Sequence, residues 1–131
     1  MRKAAILVGV AMALGPAAGV TARADDDIVR TPLQSWQIPA GEYDLNTMYV
    51  VIRAGGTSGR HTHPGVESSY VISGEPELKI DGEADRRLKP GETFLIAPGL
   101  VHEVIAGAGG PVVLVLSYVT ERGKPLVTNV P

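Results

Sequence analysis

Hydrophobic and polar positions alternate over short distances along most of this chain, and the runs rarely last beyond eight residues. Residues 48–52 (Met-Tyr-Val-Val-Ile) form one apolar run, and Tyr70-Val71-Ile72 forms another that stops at Ser73-Gly74. Glu77-Leu78-Lys79-Ile80 alternates polar with apolar, as a strand with one face in a core should. Asp81-Gly82 follows it, a dipeptide that favours a tight hairpin turn. Residues 93–96 are bracketed by Pro90-Gly91 and Pro98-Gly99, and residues 101–105 and 112–119 supply the last two runs. The 112–119 run is almost continuously apolar, which predicts a central strand. This pattern predicts about seven short strands at turn-punctuated intervals, an all-β sandwich or small barrel. No segment has the 3.6-residue period of a long helix, so no helical crossover is available for a parallel sheet.

The first 24 residues follow a different pattern. Met1-Arg2-Lys3 is a basic head, residues 4–14 are uncharged and mostly apolar, Gly15-Pro16 breaks the run, and Ala22-Arg23-Ala24 has small residues flanking a cleavage point. This is the layout of a secretory signal peptide, which places the protein in the periplasm or outside the cell. The apolar run is too short for a membrane anchor, which needs about 20 residues. The absence of cysteine excludes a lipid-anchored form. Cleavage after Ala24 would leave 107 residues, one domain. Residues 25–34, opening on Asp25-Asp26-Asp27, are expected to be a solvated, mobile lead-in to a barrel over 35–120, and residues 121–131 an extended tail that crosses the barrel or a partner subunit.

Composition narrows the function. The 131-residue chain carries 12 basic and 14 acidic residues, and removal of Arg2, Lys3 and Arg23 takes the net charge from −2 to −5. That leaves no basic footprint for nucleic acid or an anionic membrane. Without cysteine there is no disulfide, thiolate site or thiol nucleophile.

The chemistry then falls on three histidines. His61 and His63 are two residues apart, so a strand presents both on one face. Glu67 starts the next run, and Pro64-Gly65-Val66 can turn the chain to bring its carboxylate back. His102 opens a later strand. Three imidazoles and one carboxylate suit one divalent first-row ion, with Fe, Mn, Co, Ni, Cu and Zn all compatible. Four protein ligands around a six-coordinate ion leave two positions for water, dioxygen or a chelating substrate.

Residues 55–74, GGTSGRHTHPGVESSYVISG, match the pattern G-x5-H-x-H-x3-E-x6-G at Gly55, His61, His63, Glu67 and Gly74. Gly91, Gly99 and His102 match the two glycines and the histidine of its companion motif, after a spacer of sixteen residues, 75–90. In these two motifs the sequence resembles the small single-domain cupins. Two positions depart from the family pattern: the proline sits one place late, at Pro98, and Ala106 stands where an asparagine is common. The resemblance implies a double-stranded β-helix, a conical β-barrel of two facing antiparallel sheets, with His61, His63, Glu67 and His102 pointing inward onto one metal ion. Strand parity then puts Ser69 and Val71 on the Glu67 face and Val104 on the His102 face. Ser69 is a candidate contact for a ligand carboxylate or a substrate, or a small filler of the cavity.

The resemblance implies an exported metal-dependent enzyme acting on a small oxygen-rich molecule, with dioxygenase-like chemistry first, and Glu67 able to serve as base as well as ligand. The alternatives are a non-catalytic barrel that binds or senses a metal or metabolite, and a barrel whose histidines hold no metal. Strand parity points Glu103 outward, while the facing of Tyr49, Tyr70 and Tyr118 is open. Arg53 and Arg60 are surface charges or contacts for an anionic substrate. Trp36 and Phe94 fill the core or an intersubunit surface. A homodimer is expected, with the 112–119 run at its interface.

Overall fold

A computed structural model describes residues 24–39 and 41–131. The leader expected over 1–24 lies outside these residues apart from Ala24. A single helical turn, α1 (Ala24–Asp27), precedes ten strands: β1 (Ile28–Gln37), β2 (Tyr43–Ile52), β3 (His61–Thr62), β4 (Gly65–Ser73), β5 (Glu77–Ile80), β6 (Arg86–Arg87), β7 (Thr93–Ile96), β8 (His102–Ile105), β9 (Val112–Glu121) and β10 (Thr128–Asn129). They form two five-stranded antiparallel sheets, β1-β2-β9-β4-β7 and β10-β3-β8-β5-β6. The architecture is the expected all-β jelly-roll barrel. Among the described residues no helix is long and apolar enough to cross a membrane.

Burial follows strand parity. Gly65, Glu67, Ser69 and Val71 of β4 are buried, while Val66, Ser68, Tyr70 and Ile72 are exposed. On β9 the inward set is Val112, Leu114, Leu116, Tyr118 and Thr120. β9 is the central strand of its sheet, as its apolar run predicts. These positions meet Leu78, Val104 and Ala106 from the other sheet in one core. Phe94 joins that core, whereas Trp36 is 69% exposed on β1.

Two glycines are dictated by the packing. A Cβ on Gly65 would stand 1.9 Å from the Val119 carbonyl oxygen, so no side chain fits where β4 begins beside β9. Gly74 has φ of +83°, a left-handed turn that lets the chain leave β4, and a Cβ there would press on the Pro111 carbonyl.

The start of the described chain differs from expectation, while the tail follows one of the two courses expected of it. Residues 28–34 are the first part of β1, paired with β2 from Ile28↔Ile52 to Gln37↔Asp44, so the sheet starts seven residues before position 35. Asp27 is buried: it pairs with Arg53 and accepts a hydrogen bond from the Thr57 amide at 3.2 Å. A carboxylate with two such partners pins the lead-in to the loop before β3. At the other end, β10 pairs with β3, and the Val130 amide donates to the Arg60 carbonyl at 2.9 Å. The tail thus lies across its own barrel.

Candidate metal centre

Both sheets deliver residues to one spot. His61 and His102 are cross-strand partners on β3 and β8. His63 follows β3, and Glu67 comes from β4 of the opposite sheet. The bend at 63–65 is tied to the loop before β8, because the Gly99 amide donates to the His63 carbonyl at 2.9 Å. The displaced proline therefore leaves the turn before His102 intact, and Ala106 takes its place in the core at 1% exposure. One ligating atom from each of His61, His63, Glu67 and His102 lies within 4.8 Å of the others, and all four residues are buried. The structure brings together the four residues singled out by the sequence.

The hydrogen bonds orient all three rings alike. His61 Nδ1 lies 2.7 Å from the Gly59 carbonyl, His63 Nδ1 2.6 Å from that of Leu126, and His102 Nδ1 3.0 Å from that of Leu100. A carbonyl only accepts, so each Nδ1 carries the proton and each Nε2 presents a lone pair to the centre. Glu67 Oε2 stands 2.8 Å from His63 Nε2 and 3.3 Å from His102 Nε2, yet both nitrogens are buried without a hydrogen-bond partner. Lone pairs facing a carboxylate at these distances repel unless positive charge lies between them. One shared proton relieves one such pair; several converging lone pairs fit a cation. The orphaned nitrogens and the hard–borderline donor set therefore fit a divalent transition ion.

Electrostatics agree. Burial pushes the His61 imidazolium down to about 4, with the Gly59 carbonyl partly opposing and the neighbouring His102 and His63 adding to the effect. The ring is neutral at pH 7, as a ligand must be. Burial pushes the Glu67 carboxyl up, but where Nε2 of His102 and His63 carries a proton in place of a cation, the two rings more than reverse this and hold it well below the usual carboxylate range. Ser69 donates its hydroxyl to Glu67 Oε1 at 2.6 Å, which leaves Oε2 for the centre. Ser69 therefore fixes a ligand carboxylate.

Three contributors were not singled out as site residues by the sequence. Tyr118 shares a cross-strand row with Glu67, and its ring centroid lies 4.7 Å from that of His63. Burial, and then the Glu67 carboxylate, push its phenol up, so it stays protonated. Its parity with Leu114 and Leu116 orients it only once the inward face of β9 is known. The Leu126 carbonyl has no sequence signal, being backbone. Arg30 lines the same cavity from β1, and its parity with Ile28 is the signal once β1 is known. The remaining candidates lie elsewhere. Tyr49 and Tyr70 are exposed on the outer face, Arg53 pairs with Asp27, Arg60 pairs with Asp81, and Glu103 accepts from the Thr57 hydroxyl.

A two-sheet β-barrel holding a buried three-histidine, one-carboxylate cluster is a small barrel that could hold one metal ion. Residues 48–118 match the cupin domain family. The chain belongs to that family. Among solved structures, the DMSP lyase DddQ from Ruegeria pomeroyi DSS-3 is similar at 24% identity and TM-score 0.69, with 85% of this chain and 56% of that chain covered. A cupin-like protein from Thermotoga maritima MSB8 is 21% identical with TM-score 0.66, over 79% of this chain and 75% of that one. Recombinant oxalate oxidase in complex with glycolate is 27% identical with TM-score 0.57, over 65% of this chain and 45% of that one. The chain thus spans little more than half the length of the lyase and less than half that of the oxidase. No curated protein matches the sequence.

Proposed function

We propose that this chain is an exported, mononuclear metal-dependent cupin enzyme acting on a small oxygen-rich molecule, with dioxygenase-type chemistry. One observation carries the reading: four ligating atoms converge in a buried site where two imidazole nitrogens have no other partner. The similar structures that bear enzyme names, a DMSP lyase and an oxalate oxidase, support a small-molecule substrate. His61, His63, Glu67 and His102 would hold the ion. When bound, a divalent transition ion supplies Lewis acidity and, for Fe, Mn, Co, Ni or Cu, access to electron transfer.

The chain's own groups do the rest. Ser69 keeps Glu67 in one orientation. Tyr118, protonated and facing the cavity, can donate a hydrogen bond to an oxygen of a bound molecule. Glu67 is the carboxylate available as base, and its depressed pKa makes it a better ligand than proton acceptor. The test is metal content by inductively coupled plasma mass spectrometry on wild type and on His61→Ala/His102→Ala, followed by oxygen consumption with phenolic and dicarbonyl compounds. Near-stoichiometric metal that is lost in the variant supports the site. No specific metal in the wild type overturns it, and no oxygen uptake with any loaded ion overturns the dioxygenase assignment.

A non-catalytic metal- or metabolite-binding or sensing barrel is the second reading. The cavity beside the cluster favours it, with room of about 20 Å³, the scale of one or two waters. Ligand-stabilised melting without turnover of any compound would select it. The reading also includes two features of the whole protein. Export rests on the pattern in residues 1–24 and is tested by sequencing the N-terminus of secreted protein. A homodimer is supported by the outer face of the β1-β2-β9-β4-β7 sheet, where Leu95 on β7 is 69% exposed next to the strand that presents Tyr70 and Val66, and Trp36 is 69% exposed on the opposite edge strand; sedimentation analysis tests it.

A further inference from the structure

The cavity at the metal centre is lined by twelve residues, of which ten are buried. The two that reach solvent are Ile28 and Arg30, both on β1. Val29 and Thr31 between and beside them point outward, and Arg30 pairs with Val50, which is fully buried. Arg30 therefore projects from an edge strand into the barrel mouth. Tyr118 lines the same cavity. Its guanidinium has no carboxylate or hydrogen-bond partner among the described residues, while Arg53, Arg60, Arg87 and Arg122 each pair with an acid. A half-buried, unpaired guanidinium beside an apolar inner face loses hydration without compensation. Its planar fork is matched by a carboxylate, which can take two parallel hydrogen bonds.

We propose that Arg30 is the anion-recognition residue of this site and that the molecule admitted along β1 is a small carboxylate. The proposal rests on the metal-dependent reading above, and it narrows "oxygen-rich" to anionic. Phenols and neutral dicarbonyls offer this guanidinium only uncharged acceptors, which bind it more weakly than a carboxylate does.

Glycolate and glycolamide, which differ in charge at one end, are the probes. Isothermal titration measures each against wild type, Arg30→Gln and Arg30→Lys, with metal content and melting temperature recorded for every sample. Arg30→Gln should weaken glycolate about tenfold to hundredfold, the scale of lost hydrogen bonds to a charged group. Glycolamide affinity, metal content and melting temperature should not change, and Arg30→Lys should fall between. Equal glycolate affinity in wild type and Arg30→Gln at equal metal content overturns the proposal, as does failure of the wild type to bind glycolate. A wild type that holds no metal overturns the reading of the centre instead. In that case glycolate binding that still depends on Arg30 upholds the anion site.

Discussion

Deleting residues 125–131 should weaken metal binding although it removes no ligand. The deletion takes away the Leu126 carbonyl, which His63 Nδ1 meets at 2.6 Å, and the two-residue pairing of β10 with β3. Without that acceptor, His63 is free to place its proton on Nε2, 2.8 Å from Glu67 Oε2, where it satisfies the carboxylate and blocks the cation. A buried N–H that loses its partner costs about 1–3 kcal/mol. Outer partners of metal-bound imidazoles are worth about tenfold to hundredfold in affinity, which is the same range at about 1.4 kcal/mol per decade. Zinc affinity measured by chelator competition should therefore drop by one to two decades. Leu126→Ala is the control. It keeps the carbonyl and removes only the side chain's packing on the core, so it should lower stability and leave zinc affinity near wild type. A deleted protein that is folded by circular dichroism and binds zinc like wild type would refute the role given to the tail.

Ser69→Ala removes the hydroxyl that holds Glu67 Oε1; chemical denaturation should show a loss of about 1–2 kcal/mol and zinc competition about a tenfold weaker site. Gly65→Ala forces a methyl into the Val119 carbonyl and should cost several kcal/mol, seen as a loss of cooperative melting; normal melting would show that the close approach of β4 and β9 is not required. The metal-free protein should lose stability as pH falls from 6.5 towards 4. In that window the unfolded chain protonates His61 while the fold keeps it neutral, so the unfolded state binds more protons. Above 6.5 this contribution is constant, and His61→Ala should flatten the slope in urea titrations between pH 7.5 and 4.5.

The barrel and the four clustered residues were legible because their signals are local. Period-two patterning marks β5, short apolar runs closed by turn residues mark β4 and β7, and two motifs with fixed spacing hold all three histidines and Glu67. What stayed hidden has physical reasons. β1 is an edge strand whose residues from Thr31 on are all exposed, so it shows no alternation to read. Its acidic entry resembles a solvated tail, and only the burial of Asp27 and its pairing with the exposed Arg53 show otherwise. The near-continuous apolar run of β9 conceals which parity faces inward, and with it the direction of Tyr118. The tail acts through a backbone carbonyl, an atom that every residue carries and no side-chain pattern reveals.

These hidden parts share a location. The family match ends at residues 48 and 118, and all four clustered residues and Tyr118 lie inside it. Arg30 lies before it, and the Leu126 carbonyl lies after it. The shared segment therefore specifies where a cation would sit, and the flanking strands act on that centre from outside. The tail at Leu126 sets the tautomer of one imidazole, and β1 sets the charge at the mouth. Function follows the groups placed at the site more than the fold that carries them. Substitutions in 48–118 are expected to change whether metal is held. Exchanges confined to β1 are expected to change what the metal-loaded barrel accepts, with metal content unaltered. Transplanting a β1 with a neutral residue at position 30 into this chain separates the two: retained metal with lost preference for glycolate over glycolamide supports the division, and lost metal contradicts it.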